Sequence, residues 1–271
     1  MSSVRAGAGA LRAVLLLAFV LFIILPFVMV GLQAFGSGWF GMRLLPPTWT
    51  LRWFGWAIKT VDLVQVLVNT VAIALIATVV SLALAIPAAW ALARHHVPFK
   101  SALIAAILLP RMIPEISFAL GVAKVFYALH LINSYLGIAL AHVILAAPFA
   151  VLVLASTFET MDARLLEAAR VLGCNTPQLF RKVILPLAMP GLVAAALFSF
   201  LASYNDFVLT LLVYGPDTVT LPVQTYLSIG GGYISVASAI SVILLIPSLL
   251  FLFGLVRLVR PENLLGGLKG A

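Results

Sequence analysis

The sequence predicts an all-α polytopic membrane protein with about six transmembrane helices, and three observations predict it. Of the 271 residues, 64% are hydrophobic and only 9% are Asp, Glu, Lys or Arg, whereas a soluble domain carries about 25% charged residues. Six continuously apolar blocks reach the roughly 20 residues that a helix needs to cross about 30 Å of hydrocarbon. The basic residues are also divided unevenly among the segments that join those blocks, as topology requires. The mean hydropathy of +1.21 excludes a soluble or disordered chain, and the single cysteine, Cys174, excludes a disulfide scaffold.

In order, the blocks are Leu11–Gln33, Leu63–Ala93, Ser101–Leu129, Gly137–Phe158, Gly191–Val213 and Val236–Val259. None alternates polar with apolar residues, so they read as helices and not barrel strands. The first is too long for a signal-peptide core and lacks a cleavage site, so it reads as a retained signal-anchor. Trp39, Trp49, Trp53 and Trp56 crowd the next loop, where amphipathic indoles suit the headgroup layer. Pro87 and Pro148 are placed to kink the second and fourth blocks, and Pro110 and Pro114 to break the third. Gly230-Gly231-Gly232 reads as a linker or a flexible gate. The whole chain, residues 1–271, is expected to form one transmembrane domain with its core at about 63–259.

Orientation follows from Lys and Arg. With the N-terminus inside, Arg5, Arg12, Arg94, Lys100, Arg164, Arg170, Arg181, Lys182, Arg257, Arg260 and Lys269 are cytoplasmic. Arg43, Arg52 and Lys59 lie outside, and Arg111 and Lys124 fall in the third block. Both termini are therefore expected in the cytoplasm. The net charge of +8 is interrupted by apolar blocks and makes no basic face for nucleic acid. No phosphate-wrapping glycine loop, metal-ligand spacing or nucleophile–base–acid arrangement appears, so no catalysis, metal or bound cofactor is expected of this chain.

Glu115 and Asp206 are the acidic residues expected well within the spans. A carboxylate there costs a few kcal/mol on insertion scales, so each should line a cavity or face a partner charge. For Glu115 an alternative is a structural ion pair with Arg111, four residues earlier. For Asp206 it is simple hydration at an outer mouth. Lys124 and His142 read as interfacial or packed polar groups.

The cytoplasmic segment 159–190 carries the most information. It parses as two short helices. Asp162 can cap the first, whose Leu165, Leu166, Ala169 and Leu172 recur at helical spacing. Gly173 stands where a helix end wants positive φ. Thr176 offers a second cap with Pro177 at the first helical position, and Pro186 and Pro190 are expected to end that helix.

Within this segment Glu167-Ala168-Ala169, Gly173, Val183 and Leu185-Pro186 resemble the EAA loop of ABC-importer permeases. That pattern runs Glu-Ala-Ala, three residues, Gly, nine residues, Ile, one residue, Leu-Pro; only Val183 departs from it, by a shape-conserving change. The resemblance implies a type I ABC-importer permease fold in a bacterial cytoplasmic (inner) membrane. It implies an ATPase dimer on the cytoplasmic side, which carries ATP and Mg, docked on Glu167, Ala168, Ala169, Gly173, Val183, Leu185 and Pro186. It further implies a second, related permease subunit, an external solute-binding protein and alternating access.

Similarity extends along the chain from Asn69-Thr70. Leu109-Pro110-Arg111-Met112-Ile113-Pro114-Glu115-Ile116 looks like the Pro-Asp-Ile region of spermidine/putrescine-type permeases. Ser203-Tyr204-Asn205-Asp206-Phe207-Val208, Tyr214-Gly215-Pro216 and Thr220-Leu221-Pro222-Val223 are similar to the same branch. Asn205 replaces an acidic residue there and Glu115 replaces Asp. The branch implies a polyamine or related organic cation, with Glu115, Asp206, Asn205 and Tyr204 as candidate path residues. Sugar, ferric-ion and thiamine permeases are the alternatives within the family. A stand-alone secondary transporter is the alternative from another class, in which the EAA loop has no role.

Overall fold

The computed structural model describes residues 2–38 and 45–258; Trp39, Arg43, Val259, Arg260 and Lys269 of the residues named above lie outside them. The elements are α1 (Ser2–Phe35), β1 (Gly36–Ser37), β2 (Thr48–Trp49), α2 (Arg52–Thr60), α3 (Leu63–Arg94), α4 (Lys100–Met112), α5 (Glu115–Ala128), α6 (Tyr135–Glu159) and α7 (Ala163–Val171). Then come α8 (Thr176–Leu179), a π-turn (Phe180–Ile184), α9 (Leu185–Tyr204), α10 (Val208–Val213), α11 (Leu221–Gly230) and α12 (Ile234–Leu258). Among the described residues, five helical segments are long and apolar enough to span a membrane, and the bent pair α4–α5, taken as one span, makes a sixth.

Two blocks differ from expectation. The third is two helices that meet at 95°. Pro114 disfavours helical geometry in the residue before it, and Ile113 is extended at φ −82°, ψ 141°. Pro110 lies inside α4 and does not break it. The fifth span runs from Thr176 to Tyr204, not from Gly191 to Val213. Pro186 and Pro190 do not end the helix as expected: Pro186 opens α9 and Pro190 lies within it. The widened turn at Phe180–Ile184 ends just before Leu185-Pro186, where a proline ring would otherwise press on the carbonyl four residues back. Asn205–Phe207 then interrupts the chain before α10. Glu115 and Asp206 therefore stand at helix breaks, not within continuous spans.

The described residues form two compact units, one from the residues up to Val64 with Gln224–Ile246, the other from Gln65–Val223 with the residues from Pro247 onward. In the first unit, Leu11 to Met29 of α1 present a nearly continuous exposed apolar surface, as suits a helix in lipid. A two-residue antiparallel pair, Gly36 with Trp49 and Ser37 with Thr48, follows it. Trp53 Nε1 donates to Gly36 O at 2.7 Å. The glycine run ends α11. Gly232 takes φ +81° and Tyr233 N donates to Ser228 O at 2.8 Å, a closed helix C-terminus.

In the second unit, α6 packs along α9. Small residues bring the two together: Gly191 faces Thr157 so closely that an added Cβ would overlap it, and Ala150, Ala188 and Ala195 are buried in the same cluster. Close backbone approach of this kind drives helix association where lipid offers no hydrophobic gain. One apolar cluster joins α3, α5, the first half of α6 and α10. The other joins α3 and α6 further along to α7, Leu179 and α9. The loop is thus welded to the spans. Asn69, fully buried, donates to Asp217 O at 3.1 Å and Val219 O at 2.9 Å, and Thr70 Oγ1 accepts from Leu221 N at 2.8 Å.

Candidate coupling surface and solute pocket

The segment around Glu167 is built by three local devices. Asp162 Oδ1 accepts from Arg164 N at 2.9 Å and starts α7, as expected. Gly173 takes φ +86°, while Cys174 N donates to Ala169 O at 3.1 Å and Gly173 N to Arg170 O at 2.9 Å, which closes α7 in a Schellman motif. The next helix is capped one residue earlier than expected. Asn175, not Thr176, accepts from Gln178 N at 2.9 Å, and Gln178 Oε1 accepts from Asn175 N at 3.1 Å, a reciprocal capping box.

The apolar stripe of α7 divides. Ala169 is buried and Leu166 packs with it against the span core. Leu165 is exposed, and Val171 and Leu172 at the tip are 87% and 84% exposed. Glu167, Ala168, Gly173 and Pro186 are exposed, whereas Val183 and Leu185 are half-buried. Glu167 and Arg170 line a cleft of about 530 Å³ with Trp90, Arg94, His95 and Phe180. Arg94 Nη2 donates to Met161 O at 2.6 Å and Lys100 Nζ meets Glu159 Oε1 at 2.8 Å. These contacts tie the end of α3 and the start of α4 to the end of α6 and its turn into α7. The result is a rigid platform with an apolar tip and an accessible carboxylate.

The second constellation lies at the two helix breaks. A pocket of about 290 Å³ is lined by Arg111, Glu115, His142, Asn205, Asp206 and Phe207, among others. Glu115 opens α5, and its carboxylate makes no ion pair among the described residues. The alternative pairing with Arg111 is absent because the bend separates the two helices. Arg111 Nε instead donates to Leu145 O at 3.0 Å, and its guanidinium lies 4.8 Å from the Phe149 ring centre. Asp206 is held from behind: Oδ1 accepts from Thr210 N and Thr210 Oγ1, both at 3.0 Å, and lies 3.2 Å from His142 Nε2. Asn205 is exposed on the pocket wall. Tyr204 is not on the wall; it is fully buried and stacks on Phe200 at 5.5 Å.

Three of the four expected path residues therefore converge, and two further groups join them. His142 read from sequence as a packed polar group, and packed it is. Its role as Asp206's partner was hidden because the two are 64 positions apart. The signal available was an ionisable residue in the fourth block with no charge nearby in sequence.

The comparisons with known proteins decide the family. Residues 81–263 match the family described as binding-protein-dependent transport system inner membrane component. The chain belongs to this family. The permease is 36% identical over 182 residues to the trehalose transport system permease protein SugB of Mycobacterium tuberculosis, spanning 67% of this chain and 66% of SugB. It is 27% identical over 256 residues to the spermidine/putrescine transport system permease protein PotC of Escherichia coli, spanning 93% and 95% of the two chains. Its fold is similar to that of a crystallised bacterial ABC transporter involved in the import of the acidic polysaccharide alginate. That match has TM-score 0.72 at 22% identity and covers 93% of this chain and 96% of that one. The permease is thus an inner-membrane, multi-pass subunit of an ABC importer.

Proposed function

We propose that this permease moves a small organic cation, with polyamines the leading class, across the cytoplasmic membrane. The solute is delivered by an external binding protein, and hydrolysis takes place on separate ATPase subunits that bind ATP and Mg. A second, related permease subunit completes the path, and both termini face the cytoplasm with α7. The observation that carries the solute class is the meeting of Glu115, unpaired among the described residues, with Asp206 on one pocket wall. Two carboxylates at helix breaks suit an ammonium group, and the likeness to PotC over most of both chains supports the same class. Uptake by the reconstituted importer tests it. Spermidine or putrescine should be carried, and Glu115→Gln should raise KM. Uptake of a neutral sugar or an anion alone, unaffected by Glu115→Gln, would overturn it.

The ATPase contact is assigned to α7 and its flanks: Glu167, Ala168, Ala169 and Gly173, with Val183, Leu185 and Pro186 setting how the platform joins the span. ATP-driven closure would then move α7 and, through the welded core, the spans as a rigid body. Gly173→Asp should abolish ATP-driven uptake with the permease still present in the membrane. Intact ATPase binding and uptake in that variant would sink the assignment. A carbohydrate is the second reading, favoured by the higher identity to SugB; Asn205 and Glu115 could bond hydroxyls as readily as an ammonium.

A further inference from the structure

We propose that His142 is a positioning residue that sets the charge Asp206 shows to the solute pocket, and that its protonation weakens cation binding. This rests on the assignment of the pocket to the solute. Thr210 Oγ1 has one hydrogen and donates it to Asp206 Oδ1 at 3.0 Å. It can therefore only accept from His142 Nε2, 2.9 Å away, and Nε2 carries a hydrogen in either charge state. The other ring nitrogen, Nδ1, lies 2.7 Å from Ser203 Oγ. A hydroxyl serves there in both roles: it donates to neutral Nδ1 and accepts from protonated Nδ1–H. Both ring nitrogens keep a partner when the proton comes or goes, so the ring is held in one geometry in both states; in the charged state the Ser203 hydroxyl hydrogen turns away from the ring. The proton is drawn from water and returned to it.

The carboxylate turns this into a charge switch. Asp206 Oδ1 accepts from Thr210 and lies beside His142 Nε2, while Oδ2 has no protein partner among the described residues and is not among the buried unpartnered atoms. It is the oxygen left to face solvent and solute. With a neutral ring, Asp206 and Glu115 both present negative charge to the pocket. With a protonated ring 3.2 Å away, the His142–Asp206 pair is neutral and only Glu115 remains to oppose Arg111. These four are the charged or titratable residues lining the pocket.

Two measurements test this on the complete importer, reconstituted with its binding protein and ATPase. The first is the KM of spermidine uptake with pH varied on both faces from about pH 8 to about pH 5.5, which should rise about tenfold toward the acidic end. In His142→Gln, whose amide keeps a donor near Asp206, the KM should change by less than about twofold over that range, and Glu115→Gln should keep the wild-type slope. The second needs no transported solute. The protein has four histidines, so nitrogen-15 spectra of histidine-labelled permease resolve each ring, with His142→Gln assigning the signal. Asp206→Asn should shift the His142 signal. A His142 ring indifferent to Asp206→Asn, or a KM profile unchanged in His142→Gln, overturns the proposal. If spermidine is not carried at all, the cation reading fails, and the ring spectra still decide the role of His142.

Discussion

His142 Nε2 stands 3.2 Å from Asp206 Oδ1, with the two side chains 2% and 6% exposed. The contact joins α6 to the corner between α9 and α10, and Asp206 also receives Thr210 N. Stranding a buried carboxylate costs more than removing the pair. We expect His142→Leu to destabilise the permease by about 3–5 kcal/mol. Adding Asp206→Asn should recover part of that loss, because no unpartnered charge is then buried. Thermal unfolding of the purified permease in detergent, for the two single variants and the double, measures the coupling. Additive single effects would contradict it.

Gly173 closes α7 at φ +86°, and a Cβ built there would meet no atom within 4 Å. Space within this chain is free, so inside the permease the restriction is the backbone. A β-branched residue resists this region by about 1–2 kcal/mol, whereas Asn visits it readily. Gly173→Asp differs from Gly173→Asn by the charge it sets on the exposed face offered to the ATPase. Gly173→Asn should keep most ATP-driven uptake and Gly173→Val should lose most of it at equal membrane abundance. Equal uptake by the two variants would show that the left-handed turn is not what matters.

Asn175 and Thr176 separate two descriptions of the same helix start. The sequence favours Thr176 because Pro177 follows it, but the side chain in reciprocal bonding with Gln178 is Asn175. Replacing a capping residue with alanine costs about 1 kcal/mol. Asn175→Ala should lower the unfolding temperature measurably, and Thr176→Ala should leave it within error.

Most of the span pattern and the family resemblance were legible because hydrophobic length and a spaced motif are local in sequence. The cap at Asp162 and the positive φ at Gly173 were legible for the same reason. What could not be read required partners distant in the chain. Asp206 looks like a lone acid within a span until His142 and Thr210 are placed beside it, and Arg111 looks like the partner of Glu115 until the 95° bend separates them. Tyr204 adjoins the Asn205-Asp206 pair in sequence, yet the helix turns it into the core. Proline misled in one direction: Pro186 and Pro190 read as stops, yet the helix carries both, Pro186 just after a π-turn and Pro190 within regular helix.

Asn69 is the hinge pin of the second unit's polar clamp. Its amide nitrogen serves the carbonyls of Asp217 and Val219, and its Oδ1 accepts from Tyr135 Oη at 2.5 Å and Gln65 Nε2 at 2.8 Å. Asn69→Ala would leave several of these groups without their partner at a cost on the order of 3 kcal/mol. Asn69→Asp keeps the acceptor and loses the donor, so it should fare no better. Differential scanning of the two variants checks both expectations, and a stable Asn69→Asp would mean that the two carbonyls find water instead.

The π-turn at Phe180–Ile184 makes a further, sharper prediction. One residue removed from an ordinary membrane helix rotates everything beyond it by about 100°, which would turn the α9 face of Gly191, Ala195 and Ser199 away from α6. A π-turn already holds one residue more than an α-turn. Deleting Arg181 should therefore let the segment close into α-helix with the α9 face kept in phase. The remaining conflict is the Pro186 ring against the preceding turn, so the deletion should be best tolerated together with Pro186→Ala. Deleting Ala194 offers no such slack and should abolish accumulation in the membrane. Immunoblots of membranes and thermal unfolding distinguish the three variants. Equal loss of the Arg181 and Ala194 deletions would show that the widened turn is fixed by the packing of Leu179 and Ile184 and not by the extra residue.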